Sequence, residues 1–533
     1  MLNSFAKKLS LDLLLWITIL NIHFFKPANG ALYLEIPFNT SQSFGYDGPW
    51  YAVPVTIGSD PQTLNLFPGS QWATTILSDV ICGDRSNCAS EKGGLYNYSL
   101  DNLTYHPVTR PTIIGADTIP YGQLFDAKGL TLGQFNQLGV GGGLSYVTIA
   151  NASVLRVDAA TLYYGKDRVQ VQPSNGFLAL GGLADYQTFG PYQPVIALNY
   201  LAATGKIESR TWGMHYSSAK LNQIPSLIWG GYDKSRISGP VQTFDLDSGG
   251  GMRMNLIGIN IGVAIGKSPF PYQMKSNLLV NNIATGQGNV VTRVELESAI
   301  PYLVLPQETC DAIARELPVV FNASLGFYLW KTADPLYQAI VTSPAYLSLD
   351  FQVSASQNLT LKIPFALLDL NLTAPLVTDT QAYFPCMGGT IDKTTGDGAF
   401  LGRAFYQAVF IAKSFETSKF WIAQARGPSY TVSDIQGIDK TAVSLDAPPA
   451  VGDDTWVSSW NSSWMVVPLD TASSPTPKPS SGTSKTTMIG IAVGIGSGIL
   501  LLALVFLLWR RKRKTVKGKR SLPVDIVGGV EYS

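Results

Sequence analysis

One structural pattern occurs twice along the 533 residues of this chain. In the first half, a strand-turn segment ends in LNLFPGSQW (64–72), and an apolar strand with glycines, FLALGG (177–182), follows later. In the second half, VELESAIPYLVLP (294–306) is followed at a similar separation by AFLGRAF (399–405). A strand-turn and a glycine strand repeated at one spacing indicate an internal duplication, and therefore two halves built on the same plan.

The region between residues 45 and 427 is typical of a mainly β fold. Tyr51 to Ile57 alternates between apolar and polar positions, GSDPQ turns the chain, and Thr63 to Phe67 resumes the pattern, which predicts a hairpin. Long amphipathic patterns are scarce, and the best helix candidate is Pro306 to Leu317. Further short apolar runs that predict strands lie at 226–231, 256–265, 348–353, 359–363 and 408–412.

The first 30 residues have the features of a secretory signal peptide. Lys7 and Lys8 form a positive start, an apolar stretch runs from Leu9 to Phe25, and Ala28-Asn29-Gly30 supplies small residues for cleavage. An uncleaved anchor remains the alternative, although the stretch is short for a membrane span and contains polar residues. We therefore expect the chain to enter the secretory pathway.

A second apolar segment, at residues 488–509, predicts a single transmembrane helix. It carries no charge, and as a helix it would be about 33 Å long, enough to cross a bilayer. Five basic residues follow in 510–514, which places the tail (510–533) in the cytoplasm. The prediction is a single-pass type I membrane protein of the plasma membrane or cell surface.

The segment before the span, residues 428–487, is predicted to be a stalk and linker. Its part from 468 to 486 is rich in Pro, Ser and Thr and is unable to bury a core. An exported chain also exposes its N-x-S/T sequences to glycosylation. The predicted acceptors are Asn39, Asn97, Asn102, Asn151, Asn322, Asn358, Asn371 and Asn461.

Composition excludes several function classes. A net charge of +1 offers no field for nucleic acid, and three histidines do not make a His-rich metal site. We expect no cofactor and no metal. Four cysteines in an exported chain predict two disulfides: Cys82 pairs most simply with Cys88 in the same polar loop, which leaves Cys310 with Cys386.

Taken in order, these segments resemble the pepsin-like aspartic proteases (peptidase A1 fold) over nearly the whole of residues 31–427. YAVPVTIGSDPQTLNLFPGSQW resembles the family's first hairpin and catalytic loop, and NGFLALGG resembles the strand that closes the first lobe. LIWGGYDKSRISGPV, ESAIPYLVLP, FLGRAFYQAVFI and FWIAQA resemble the later strands and the second catalytic loop. The resemblance implies a bilobal double β-barrel with an N-lobe at about 45–240 and a C-lobe at about 241–427. Both cysteine pairs fall where the family's disulfides fall.

In that family two aspartates, each in an Asp-Thr/Ser-Gly turn, share one proton and hold the attacking water. Alignment of the motifs places Phe67 at the first aspartate position and Glu297 at the second. The neighbours that match the family are Gly69, Ser70 and Ser298, and the departures are Pro68, Ala299 and Ile300. The family's flap tyrosine has two candidates, Tyr105 and Tyr121.

A phenylalanine is unable to accept a proton or orient water, so the resemblance implies a catalytically inactive protein. The chain is most similar in this respect to a membrane-anchored branch of fungal aspartic protease-like proteins. We expect its cleft to bind a peptide or a cell-wall polysaccharide. Two alternatives stay open: an active aspartic endopeptidase with an atypical site, and a structural cell-surface glycoprotein.

Overall fold

The computed structural model describes residues 32–468, apart from 59, 70–73, 84–87, 101–104, 108–124, 136–137, 141–146, 150–151, 183–195, 281–283, 286–287, 290, 390, 393–394, 431 and 449–454. The predicted signal peptide, membrane span and cytoplasmic tail lie outside the described residues. Ser70, Tyr121, Asn102 and Asn151 lie outside them as well. Among the residues that are described, no helix combines the length and apolar character needed to cross a bilayer.

An eleven-stranded sheet forms the first half of the body. The predicted hairpin is present at Trp50–Ile57 and Gln62–Gly69, whose apolar residues alternate into the core. The other strands of this sheet, in chain order, are Asn39–Phe44, Thr74–Leu77, Tyr105–Pro107, Phe125–Phe135, Leu138–Val140, Val147–Ile149, Ala152–Tyr164, Val169–Val171 and Phe177–Ala179.

The second half contains an eight-stranded sheet and a four-stranded sheet. The eight strands are Arg253–Val263, Met274–Lys275, Thr292–Leu296, Leu303–Pro306, Ala345–Gln352, Asn358–Pro364, Cys386–Gly389 and Ala399–Leu401. The four strands are Val319–Asn322, Phe327–Trp330, Leu370–Leu372 and Gln381–Phe384. Nearly continuous burial of Ala345–Gln352 explains why its sequence is an apolar run rather than a strict alternation.

A six-stranded sheet combines strands from both halves and both ends of the body. Its strands are Leu34–Glu35, Thr211–His215, Ser226–Trp229, Ile237–Asp245, Val409–Ser414 and Lys419–Ala425. Two small pairs complete the β structure: Gly231–Asp233 with Ile435–Gly437, and Ala284–Thr285 with Gly288–Asn289. The prediction of a mainly β fold is confirmed.

Helices in the described part of the chain are short. The predicted helix is present at Gln307–Ala314, and it begins after Pro306, which fixes the backbone at its start. The other α-helices are Ala197–Ala203, Pro335–Val341, Arg403–Tyr406 and Thr455–Ser458. The 3-10 helices are Asp79–Cys82, Ala89–Gly93, Tyr98–Leu100, Lys234–Arg236 and Phe365–Leu367.

Both predicted disulfides are present, Cys82–Cys88 and Cys310–Cys386, with Cα separations of 5.5 and 5.7 Å. The second one joins the helix Gln307–Ala314 to the strand Cys386–Gly389 inside the core of the second half. It therefore closes a long loop of the chain, which limits the freedom of the unfolded state.

The ordered body extends beyond the predicted start of the stalk at residue 428. Ile435–Gly437 forms a strand pair with the body, and the indoles of Trp456, Trp460 and Trp464 are buried. Trp460 stacks on Trp464, and Trp456 meets both rings edge-on. Burial of these three rings explains why this segment packs on the body rather than continuing the polar stalk.

Candidate functional site

Each half contains one loop built by the same arrangement of three strands. In the first half, Phe177–Ala179 lies parallel to Gln62–Gly69 and antiparallel to Thr74–Leu77. In the second half, Ala399–Leu401 lies parallel to Thr292–Leu296 and antiparallel to Leu303–Pro306. The chain between the two outer strands forms the loop in each case. The two loops are the ones that sequence analysis identified as catalytic loops.

The pairing of the strands sets the correspondence between the two loops. Both third strands carry a Phe-Leu dipeptide, at 177–178 and at 400–401. Phe177 pairs with Phe67, and Phe400 pairs with Glu295. When the dipeptides are superposed, Phe67 therefore corresponds to Glu295, and Gly69, two residues further on, corresponds to Glu297.

Side-chain geometry agrees with this correspondence. A Cβ atom on Gly69 would lie 3.7 Å from Oε1 of Glu297 and 3.1 Å from Cβ of Ala299. The residue of the first loop that faces the Glu297 carboxylate is thus Gly69, whereas the sequence alignment had placed Phe67 there. The Ala299 methyl group fills part of the space that a side chain at residue 69 would need.

The shifted alignment has its origin in two shared letters. Sequence analysis matched Gly69 and Ser70 to the Gly and Ser of an Asp-Thr-Gly-Ser turn, and this match placed Phe67 at the aspartate position. The strand pairing places Gly69 there instead, two residues further on. The first loop is also one residue shorter than the second, since Phe177 pairs with Phe67 and Thr75, whereas Phe400 pairs with Glu295 and Val304.

Ser298 and Glu297 are both positioned by hydrogen bonds. Ser298 Oγ donates to the carbonyl oxygen of Pro68 at 2.8 Å, which joins the two loops across the junction. Oε1 of Glu297 accepts from the backbone N–H of Ala299 at 2.8 Å. Glu297 is only 5% exposed, so its carboxylate is held within the protein and not at the surface.

Arg403 supports the second loop from behind. Its Nη1 donates to the carbonyl oxygens of Ser298 and Ala299 at 3.2 and 2.9 Å. The guanidinium also lies over the rings of Phe67, 4.1 Å from the centroid, and Trp50, at 5.1 Å. A buried cation between two aromatic faces and two carbonyls is stabilised by both kinds of contact.

Phe67 therefore packs on Arg403. Its ring also lines a pocket that encloses about 330 Å³, its open mouth included. The residues that line this pocket are Tyr46, Asp47, Phe67, Leu162, Pro173, Ser174, Asn175, Phe177 and Arg403.

A cluster of charged side chains lies beneath Glu297. Nε of Arg253 is 3.1 Å from both Glu295 Oε2 and Asp247 Oδ2, and Nζ of Lys413 donates to the carbonyl oxygen of Gly250 at 2.7 Å. Burial raises the pKa of the Glu295 carboxyl to about 7; Arg253 opposes the rise and Glu297 adds to it. Burial also lowers the pKa of the Lys413 ammonium to about 8, and the nearby glutamates oppose this change.

Other carboxylates that could replace a missing aspartate are exposed at the surface or already accept hydrogen bonds. Asp60 and Asp79 are exposed at the surface. Asp47 is buried, and its two oxygens accept hydrogen bonds from Trp50 Nε1 at 2.8 Å and from the Tyr302 hydroxyl at 2.7 Å. Within the described ranges, no group of His, Cys, Asp and Glu side chains could hold a metal ion.

Sequence reasoning missed Arg403 and Asp47. The signal for Arg403 was a single charge in the apolar run FLGRAF, which is unusual for a core strand. Asp47 precedes a Gly-Pro pair in YDGPW, and that pattern alone indicates only a turn. The long-range partners of both residues became visible only in the fold.

The remaining predicted positions are distributed over the surface. Six of the eight predicted glycosylation acceptors are described, and each of them is at least partly exposed: Asn39, Asn97, Asn322, Asn358, Asn371 and Asn461. Of the two flap candidates, Tyr105 lies in the strand Tyr105–Pro107, which pairs with Phe125–Phe135. Glycosylation and the identity of the flap tyrosine stay predictions.

Among the described residues of the two loops, Glu297 thus supplies a carboxylate that faces a glycine. One carboxylate can accept or donate a single proton. It is unable to form the pair of facing acids in which one oxygen takes a proton from water while the other acid polarises a carbonyl group.

A sequence model of the eukaryotic aspartyl protease family matches residues 50–425. No curated protein sequence matches the chain. The matched region contains both loops, the six-stranded sheet except for its first strand, and both disulfides. It ends before the tryptophan segment at 456–464.

Proposed function

Because the chain belongs to the eukaryotic aspartyl protease family, we propose that it is a non-catalytic member of that family, tethered at the outer face of a membrane. One observation carries the proposal: the position opposite Glu297 is occupied by Gly69, which has no side chain. The chemistry of the family needs an acid at that position, and a glycine does not supply one. Of the other acids considered above, Asp60 and Asp79 are exposed, and Asp47 accepts hydrogen bonds from Trp50 and Tyr302.

A facing pair of carboxyls can perform chemistry that a single carboxyl cannot. Two facing carboxyls repel each other when both are ionised, so the pair keeps one proton over a wide pH range and acts as acid and base together. With one carboxyl, only one of the two roles can be filled at a time. Amide hydrolysis then lacks either the base for water or the acid for the carbonyl oxygen.

The tether is supported by the sequence. Residues 488–509 are uncharged and followed by a basic cluster, and a polar Pro/Ser/Thr segment separates them from the body. The body would then be displayed on the lumenal or extracellular side. This topology agrees with two disulfides in the body, which form in oxidising compartments.

A body of this kind could act by binding. The pocket beside Phe67 offers apolar walls together with Arg403 and Asp47, and a peptide or a wall polysaccharide is the proposed ligand class. A purely structural surface glycoprotein would need no ligand. An array of peptides and glycans probed with the full chain separates these two cases, since only the first predicts retained ligands.

Proteolysis is tested with the full chain and a denatured protein substrate from about pH 3 to about pH 6, with and without pepstatin. The matched control is Glu297→Gln, which removes the one carboxyl at the junction with little change of volume. We expect no cleavage above background from either protein. Cleavage that pepstatin inhibits and that Glu297→Gln abolishes would show an active endopeptidase and overturn the proposal.

A further inference from the structure

The two halves of the body are joined directly beside the pocket, by residues that sequence analysis did not single out. Backbone N–H groups of Asn371 and Thr373 donate to the carbonyl oxygens of Gly48 and Tyr46, at 2.7 and 2.8 Å. Residues 46–48 precede the first hairpin of the eleven-stranded sheet, and residues 371–373 belong to the edge of the four-stranded sheet. These bonds therefore join the backbones of the two halves.

Asp47 strengthens this junction from inside. Its Oδ2 accepts from the Tyr302 hydroxyl at 2.7 Å, and its backbone carbonyl accepts from the Tyr383 hydroxyl at 2.6 Å. Tyr302 is the last residue of the second loop, and Tyr383 lies in the four-stranded sheet. Asp47 is 5% exposed, and hydrogen bonds to a buried carboxylate are stronger than those between neutral groups.

A second point of contact joins two turns. The N–H of Lys166 donates to the carbonyl oxygen of Ala323 at 3.0 Å, and Ser324 Oγ donates to Asp167 Oδ2 at 2.5 Å. A Cβ atom on Gly165 would overlap the carbonyl oxygen of Ser324, so the turns approach as closely as a glycine allows.

An aromatic layer connects the two points of contact. Tyr164 packs on Phe327 with ring centroids 5.7 Å apart, and Phe327 packs in turn on Tyr302 and Tyr383, at 5.0 Å from each. We name the whole set the bridge: residues 46–48, 164–167, 302, 323–327, 371–373 and 383. Tyr46 and Asp47 of the bridge also line the pocket, so the bridge forms one wall of the site.

We propose that the bridge is a built-in closure of the cleft: it holds the two halves together on the side of Asp47, so that an extended polypeptide is unable to pass between them there unless the bridge opens. An extended chain needs a groove open to both sides of the junction. The hydrogen bonds and rings of the bridge occupy the space between the halves on this side. What remains beside Phe67 is a small pocket.

Closure by the bridge and loss of the second carboxylate are independent properties of the protein. A protein that cleaved substrates would overturn the proposed function and leave the bridge to be tested separately. Conversely, a bridge that is open in solution would leave the missing carboxylate opposite Glu297 unchanged.

Hydrogen–deuterium exchange of the full chain tests the bridge at three amides that donate across it: Lys166, Asn371 and Thr373. Because opening must break several bonds together, we expect each amide to exchange at least about 100-fold more slowly than an unprotected amide. Tyr302→Phe removes one hydroxyl and keeps the ring, and we expect it to speed exchange at all three amides by about tenfold. The matched control is Tyr272→Phe, whose hydroxyl donates to Glu316 at 2.9 Å away from the bridge, and it should change none of them.

A second variant keeps the test valid if Tyr302→Phe does not fold. Asp167→Ala, at an exposed residue, removes the bond from Ser324 and should speed exchange at Lys166 about threefold. Exchange of the three amides at unprotected rates in the unmodified chain would overturn the proposal. So would a folded Tyr302→Phe, or Asp167→Ala, that leaves the exchange of Lys166 unchanged.

Discussion

Gly69 lies opposite Glu297, where a Cβ atom on residue 69 would be 3.7 Å from Oε1 of the glutamate. The glycine has lost the side chain that would complete a facing pair, and the Ala299 methyl group, 3.1 Å from the same point, occupies part of the space. Among the residues described at this junction, Glu297 is thus the acid that faces the first loop, and the residue opposite it is a glycine.

Arg403 is expected to be the main support of the second loop. Arg403→Met removes the donors to the carbonyl oxygens of Ser298 and Ala299 and the cation over Phe67. We expect the free energy of unfolding to fall by about 2–4 kcal/mol, because two buried carbonyls lose a charged partner. Urea denaturation monitored by tryptophan fluorescence measures this difference.

Two further variants make the Arg403 test specific. Arg403→Lys keeps the charge but loses the planar group, so it should not restore the full stability. Arg293→Met is the matched control, since Nη1 of Arg293 lies 3.5 Å from Asp397 at a partly exposed site. It should cost less than about 1 kcal/mol. Equal effects of the variants at 403 and 293 would contradict the role of Arg403.

Glu295 is expected to make stability depend on pH. The pKa of its carboxyl is about 7 in the folded protein, whereas the ordinary value for a glutamate is 4.5. Between these two pH values the folded chain therefore holds a proton that the unfolded chain has released. The stability due to Glu295 is therefore complete below about pH 4.5 and is lost as the pH rises through about 7, in total about 3 kcal/mol.

Glu295→Gln should remove this part of the pH dependence, because an amide does not titrate. Unfolding free energies measured from about pH 4.5 to about pH 7.5 should then be flatter than those of the unmodified chain. Glu308→Gln, at an exposed helix position, is the control and should keep the decline. If the free energy of unfolding of Glu295→Gln still falls equally with rising pH, groups other than Glu295 cause the fall.

The tryptophan segment is expected to belong to the folded body. Trp460 is 1% exposed and stacks on Trp464 with ring centroids 5.3 Å apart. Trp460→Ala should lower the free energy of unfolding by about 3–5 kcal/mol through the cavity it leaves. Val443→Ala, at a residue that is 60% exposed, should change it by less than about 0.5 kcal/mol. A small effect at Trp460 would show that the segment is detached from the body in solution.

Substitution of Gly69 by an acid should restore a facing pair of carboxyls. Gly69→Asp combined with Glu297→Asp and Ala299→Gly would place two carboxyls across the junction and remove the methyl group in the way. We expect the two facing carboxyls to share one proton, so that one of them titrates well above the ordinary range of an aspartate, as measured by carboxyl NMR. The matched variant replaces Gly69→Asp by Phe67→Asp and should show no such raised titration. A raised titration in the matched variant alone would contradict the position of the lost acid.

The fold was predictable because its signals are local or repeated. Alternation in Tyr51 to Ile57 predicted a hairpin, and a strand-turn followed at a similar separation by an apolar strand with glycines predicted the duplication. The pairing of Cys310 with Cys386 followed from the proximity of the other two cysteines. None of these inferences required knowledge of loop lengths.

The site was predictable only to within two residues, for a physical reason. The residue that faces Glu297 is set by hydrogen bonds between parallel strands far apart in sequence, whereas the shared letters Gly69-Ser70 favoured a register two residues away. Arg403 and Asp47 each have a partner in the other half of the chain, Phe67 and Tyr302 respectively, and no local pattern indicates such a contact. The buried tryptophans were grouped with the stalk because polar residues surround them.

A designed disulfide tests most directly which residue of the first loop faces the second loop. Gly69→Cys with Ala299→Cys would place two Cβ atoms about 3.1 Å apart, a few tenths of an ångström short of the usual range for a disulfide. Phe67→Cys with Ala299→Cys is the matched pair, and the four native cysteines are already bonded to each other. Peptide mapping without reduction should find the new link for the pair at 69 and 299 and none for the pair at 67 and 299. A link formed at 67 and not at 69 would contradict the account, because it would place Phe67 opposite the second loop.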